Sequence, residues 1–247
     1  MQPYIATLYM RRLLFALVLI LVAASVGFAQ EKQENQSHLV MPMFGNKPKT
    51  EAQQLKDEKF LTSCDKSFLN RQEASQFFME RGWEYYNEGQ VDTAMYRFNL
   101  AWLLNPNNID TYWAFGLITA SQEKHTEAIS YYEKAMAIEP KNSMLLSDLG
   151  ASYLALHKEK KKKKYLKKAT ALLNESVAAD TQNAFALYNL AMVRFYEKKY
   201  ADAWDLLHQS RLLNMSVIDY AFITQLVDKM PDPQGFFRSS DAAELAK

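Results

Sequence analysis

Residues 75–108 read SQFFMERGWEYYNEGQVDTAMYRFNLAWLLNPNN, and residues 109–142 read IDTYWAFGLITASQEKHTEAISYYEKAMAIEPKN. Set one above the other, Gly82 meets Gly116, Ala94 meets Ala128, Phe98 meets Tyr132, Ala101 meets Ala135 and Pro106 meets Pro140, every pair 34 residues apart. Glycine and alanine recur where two helices must cross closely, with large apolar residues between them. A unit of this kind cannot bury its own apolar stripe. It must stack on its neighbours, and a continuous core then forms between successive helices.

The series runs on to Gly150, again 34 after Gly116, but the next member is Ala191, 41 residues further. Seven extra residues therefore lie in the third unit, after which Ala169 and Ala203, Leu173 and Leu207, and Ser176 and Ser210 are 34 apart once more. Seven residues make about two helical turns. That is enough to lengthen both helices of one pair by a turn without losing the packing phase.

Period and residue types together resemble the tetratricopeptide repeat (TPR), a helix-turn-helix unit of about 34 residues. The resemblance covers about 143 of 247 residues. It implies an all-α fold, an α-α superhelix of about four repeats at 75–108, 109–142, 143–183 and 184–217, closed by a capping helix at 218–230, within a domain of 70–230. Gly82, Gly116, Gly150, Ala94, Ala128, Ala169 and Ala203 are then structural positions. The pattern departs from the family at Arg81 and Arg194, which take usually apolar places, and at Thr181 and Met215, where proline often stands.

The flanks carry other signals. Arg11 and Arg12 precede an apolar run from Leu13 to Ala24, and Gly27-Phe28-Ala29 supplies small residues at minus three and minus one. This is the grammar of a secretory signal peptide, 1–29, cleaved after Ala29, and it predicts export across an inner membrane to the periplasm. The alternative is a retained N-terminal membrane anchor, although the run is shorter than the ~20 residues a spanning helix needs. Residues 30–56 are polar with scattered Pro42, Gly45 and Pro48, which predicts a flexible arm. Leu55, Phe60, Leu61, Cys64 and Phe68 suggest a short amphipathic helix at 57–69, and Asn70 with Glu73 reads as a capping box opening the first long helix. Tyr220, Ile223, Val227 and Met230 form the stripe of the capping helix, and the tail at 231–247 has no pattern beyond a weak helix, with Phe236-Phe237 its one apolar spot.

Charge separates one stretch from the rest. Without residues 1–29 the chain carries 27 basic against 28 acidic residues, which argues against the broad basic field of a nucleic-acid binder. Yet Lys158, Lys160, Lys161, Lys162, Lys163, Lys164, Lys167 and Lys168 surround a single Glu159, a local charge of +7. One reading makes this turn a handle for an anionic lipid or polysaccharide surface or an acidic partner; the other makes it a helix extension kept soluble by charge.

In the TPR family the first helix of each repeat lines the inner groove. Carried onto this sequence residue by residue, the resemblance implies a partner-binding groove of Met79, Trp83, Tyr86, Trp113, Leu117, Tyr188, Met192 and Phe195. Such an aromatic, methionine-bearing lining suits a peptide or an amphipathic helix of a protein partner. The same side chains have a second possible use, packing between adjacent helices. One TPR subclass grips terminal carboxylates with Lys, Arg and Asn, but here the matching places hold Met79, Trp83, Ala114, Met144 and Asp148, so that clamp is missing.

Catalytic chemistry finds little footing. His38, His125, His157 and His208 are isolated, and Cys64 is the single cysteine, expected half-buried on a helix. No metal-ligand spacing, phosphate loop or cofactor motif is present. Ser63-Cys64-Asp65-Lys66 matches S-x-x-K without the companion motifs that give it meaning. The sequence therefore reads as a non-catalytic interaction scaffold of the bacterial cell envelope, with no cofactor.

Overall fold

The computed structural model describes residues 38–237. The expected signal segment 1–29, the start of the arm and residues 238–247 of the tail lie outside the described residues. Among the described residues there are ten α-helices and no strand: α1 Glu51–Ser67, α2 Arg71–Asn87, α3 Val91–Leu104, α4 Ile109–Ser121, α5 His125–Met136, α6 Ser143–Lys160, α7 Lys163–Ala179, α8 Ala184–Tyr196, α9 Tyr200–Leu213 and α10 Tyr220–Val227. The pairs α2/α3, α4/α5, α6/α7 and α8/α9 are helix-turn-helix units. The chain divides into two compact units, the first ending at Pro106 and the second beginning at Asn107. Within the second unit α5 packs on α6, and α7 on α8.

Local chemistry explains where the helices begin. The first helix of each pair is capped by asparagine: Asn70, Asn108, Asn142 and Asn183 each accept a hydrogen bond from a backbone N–H of the first turn. These caps satisfy donors that a helix start leaves without partners. The second helices start after Gln90, Lys124, Lys162 and Lys199, none of which caps with its side chain. They are entered instead through tight turns with a left-handed residue, Gly89 (φ 77), Glu123 (φ 62), Lys161 (φ 54) and Lys198 (φ 63).

The repeated small residues sit where helices touch. Ala94, Ala128, Ala169 and Ala203 are fully buried. A Cβ on Gly82 would lie 2.2 Å from Cε1 of Phe98, one on Gly116 2.4 Å from Cε1 of Tyr132, and one on Gly150 2.8 Å from Cγ of Leu173. Each glycine thus accommodates a large side chain of the second helix in its own pair. Leu173 lies seven residues farther from its glycine than Phe98 and Tyr132 do, so the insertion keeps the phase. Helix α6 spans 18 residues and α7 17, against 13 and 14 in α8 and α9.

Further hydrogen bonds hold the third and fourth pairs. Ser176 Oγ donates to the carbonyl of Ser143 at 2.7 Å, and Ser210 Oγ to that of Ala184 at 2.8 Å, tying the end of each second helix to the start of its first. Asn183 Nδ2 donates to Ser143 Oγ at 2.9 Å and Ser176 Oγ at 3.2 Å, joining the two pairs through a buried polar knot.

The flanks are more ordered than their composition suggests. Helix α1 begins at Glu51 rather than 57, with Thr50 and Gln53 forming a capping box. The arm is therefore folded from His38 onward: Asn99 Nδ2 donates to the carbonyls of Leu39 and Met41 at 2.9 and 2.8 Å, and its Oδ1 accepts from the N–H of Phe44. Met43 and Phe44 are buried, on a left-handed turn that includes Gly45. Cys64 is buried rather than half-buried, clustered with Ala74 and Leu104. At Asn70 the cap forms, while Glu73 Oε2 accepts from Leu69 N instead of closing the box.

At the other end α10 is shorter than 218–230 and presents Phe222, Ile223 and Leu226 inward. The start of the tail is folded too, against the reading that it lacks pattern. Trp204 Nε1 donates to the carbonyl of Met230 at 3.0 Å, and Phe237 stacks on Trp204 and His208. Asp232 takes the N–H of Phe237 and faces His208 Nε2 at 2.7 Å. Burial pushes its carboxyl up, but these donors outweigh burial and hold it below the usual carboxylate range.

Candidate functional site

The eight groove residues expected from the family divide between the two units, and their environments differ. In the first unit Met79 is 1% exposed, a core side chain. Trp83 is half-buried, with its ring edge-on to Phe98 at 4.9 Å and to Tyr86 at 5.7 Å. In the second unit Tyr188 is 5% exposed and meets Phe222 edge-on at 5.8 Å, and Phe195 meets the same ring at 5.6 Å. Met79 and Tyr188 are thus corrected from partner contacts to packing residues, and Phe195 is largely committed to the capping helix. For Tyr188 and Phe195 the physical reason is that the last helix pair has an apolar face to cover, and Phe222 covers it.

What remains on the adjoining faces of α4, α6 and α8 is a smaller set. Trp113 and Leu117 on α4 and Met192 on α8 are half-buried at the margin of the core, and Met144 at the start of α6 is 50% exposed. Asp148 supplies the chemistry of this face. Its Oδ2 accepts a hydrogen bond from Trp113 Nε1 at 2.7 Å, which ties α6 to α4 and fixes the plane of the indole. Burial pushes the Asp148 carboxyl up to about 6, outweighing the indole N–H, which pulls it down. Asp110, at the start of α4, is raised too, by burial and then by Glu139. Nothing in the linear sequence marks Asp148 as a partner of Trp113. The two lie 35 residues apart and meet only because successive repeats stack.

The lysine turn is a two-residue connection, Lys161–Lys162, between the two lengthened helices. Lys160, Lys161, Lys162, Lys163, Lys164 and Lys167 are exposed. Lys168 is exposed as well, but its Nζ donates to the Tyr153 hydroxyl at 3.0 Å and lies 4.7 Å from that ring's centre, while the hydroxyl donates to Glu133. The Tyr153 hydrogen bond holds the ammonium above its ordinary range. Lys168 thus takes part in a local network as well as standing on the exposed lysine turn.

No group of three His, Cys, Asp or Glu side chains among the described residues is placed to hold a metal ion. No helix among them is long and apolar enough to cross a membrane.

Similarity to solved structures decides the fold. The chain matches a thermophilic TPR protein from Thermus thermophilus with a TM-score of 0.54 and 18% identity, over 70% of this chain and 100% of that one. The fold is the tetratricopeptide-repeat fold. Pseudomonas aeruginosa PilF matches with a TM-score of 0.53 and 20% identity, covering 70% of this chain and 81% of its own. A crystal structure of MamA gives a TM-score of 0.50 and 17% identity, covering 70% and 91%. No protein-family model matches the sequence, and no curated protein matches it. The TPR fold accounts for the spacing of Gly82, Gly116 and Gly150 and for the burial of the four alanines.

Proposed function

We propose that this protein is a non-catalytic interaction scaffold of the bacterial cell envelope, exported by its N-terminal signal, that holds a peptide or helix of a protein partner on the α4–α6–α8 face. The observation that carries the reading is the Trp113–Asp148 pair beside the exposed Met144. An indole held by a hydrogen bond loses little entropy on binding, so its apolar area can go into affinity. Buried aromatic anchors dominate interfaces of this kind. Two carboxyl groups raised by burial, Asp110 at the start of α4 and Asp148 on α6, favour a partner that brings a hydrogen-bond donor or a cation next to its apolar residues.

The test is site-directed photocrosslinking from position 144 in cells, followed by binding measurements between the purified chain and the crosslinked partner segment. Met144→Glu should abolish that binding without altering the thermal midpoint. Trp113→Ala should weaken it about tenfold or more, as loss of an anchor does. A partner that crosslinks but binds both variants as well as the parent would place the contact elsewhere. Export is checked by the mass of the periplasmic chain, which should begin at Gln30.

A further inference from the structure

The insertion in the third repeat does more than lengthen two helices. Helix α7 ends in register with α9, Ala179 and Leu213 being 34 apart, but starts three residues earlier than that register requires. Helix α6 is likewise five residues longer than α8. The third hairpin therefore overhangs the α8–α9 turn by about one helical turn, and beneath the overhang a cleft of about 720 Å³ opens. One wall is the stripe of α7 carrying Lys163, Lys167, Thr170 and Asn174, with Leu166 and Ala171 beside it; the other is Tyr196 and Lys199, and His157 and Lys161 close the end. His157 and Tyr196 meet edge-on at 5.3 Å across the step.

The electrostatics of this cleft are one-sided. Its single acid, Glu197, is already paired with Arg194 at 2.9 Å and Lys199 at 3.1 Å. Lys161, Lys163 and Lys167 have no carboxylate partner among the described residues. Two of these side chains stand in the opening turns of α7, where the helix dipole favours acids, and that first turn contains none. Lysines at the end of α6 are electrostatically favourable; those at the start of α7 are not. Simple solubility would be served equally well by acids there.

We propose that this cleft is a second docking site, distinct from the α4–α6–α8 face, and that its occupant is an acidic, extended peptide segment of a protein partner. Residues 163 to 174 of α7 span about 16 Å, the length of roughly five residues of extended chain. Lys161, Lys163 and Lys167 succeed one another along the α7 side of the cleft, which fits several carboxylates in a row better than a single phosphate. They are lysines, not the forked guanidinium that grips phosphate with two parallel bonds. The apolar floor of Leu166, Ala171 and Tyr196 provides for a side chain between the acids. None of the exposed large hydrophobic residues lies between 157 and 174, so the turn has no group to insert into a bilayer.

A fluorescein-labelled peptide of alternating glutamate and aspartate around a central leucine tests this with the full chain, read by anisotropy at low and physiological salt. Binding should fall steeply with salt. Lys163→Gln with Lys167→Gln should weaken it about tenfold, whereas Lys160→Gln with Lys164→Gln, outside the cleft, should change it less than about twofold. Ala171→Trp fills the exposed floor while keeping every charge, and should weaken binding as much as the cleft pair does. Equal losses from both lysine pairs, full binding by Ala171→Trp, no peptide binding at all, or tighter binding to phosphatidylserine vesicles than to the peptide would each overturn the proposal. None of these outcomes bears on the α4–α6–α8 face, because Trp113 and Met144 are unchanged throughout.

Discussion

At the scale of single residues, the repeat is held by a reciprocal choice of sizes. Gly82 faces Phe98 and Gly116 faces Tyr132, while Gly150 faces the smaller Leu173, and Ala191 in the fourth repeat stands in register with Leu207. Where the second helix brings an aromatic ring, the first has no Cβ to offer. Gly116→Ala forces a ring aside and should cost about 1–3 kcal/mol, measured by urea unfolding; Gly150→Ala should cost less, because its contact is longer. Asp148 makes a second prediction. With its carboxyl raised to about 6, the folded chain keeps a proton that the unfolded chain releases near pH 4. This group's contribution is thus greatest below pH 4 and is lost as pH rises to about 6. Asp148→Asn keeps the acceptor for Trp113, should remove that fall and should raise stability at pH 7 by roughly 1–3 kcal/mol, read from unfolding curves at pH 4.5 and 7.

At the scale of elements, the first helices are set by caps and the second by turns. Asn183 is both a cap and the centre of the polar knot with Ser143 and Ser176. Asn183→Ala removes the cap and leaves the hydroxyls of Ser143 and buried Ser176 with fewer partners, so it should destabilise by about 2–3 kcal/mol. Differential scanning calorimetry measures the loss. Glu123 and Lys198 occupy left-handed turns where Gly89 stands in the first repeat, and both are exposed. Glu123→Gly and Lys198→Gly should each raise stability by about 0.5–1 kcal/mol, since the side chain pays a steric penalty that glycine does not. The apolar stripe of Tyr220, Ile223, Val227 and Met230 suggested a capping helix, but Phe222, Ile223 and Leu226 are the residues it buries. Phe222 is 5% exposed between Tyr188 and Phe195, and Phe222→Ala should cost about 3 kcal/mol, with increased dye binding as the last pair is uncovered.

At the scale of the whole molecule, cohesion comes without an internal disulfide. Cys64 is the single cysteine, and burial, with Asp65 adding to it, pushes its thiol up, so it is a poor nucleophile as well as a buried one. The unfolding midpoint should be the same with and without dithiothreitol, and a labelling reagent should reach Cys64 only in denaturant. Both ends of the described chain are tied by groups that composition hides. Asn99 anchors 39–44, and Trp204, His208 and Asp232 anchor the segment to Phe237. A polar stretch with scattered prolines reads as an arm, because nothing local reveals that a buried asparagine 60 residues away supplies its hydrogen bonds.

The periodic spacing of small and large residues determined, without coordinates, that the chain is helical, that its helices come in pairs and where the extra turns lie. That information is local and repeats, so it survives in a linear reading. Tertiary packing decided which of the groove candidates are spent on the core, as Met79 and Tyr188 show, and which pairs meet across repeats, as Trp113 and Asp148 do. It also placed Lys163 and Lys167 opposite Tyr196 and Lys199. Such contacts join side chains about 30 residues or more apart, and their existence depends on how far one hairpin reaches past the next, a length that no single repeat contains.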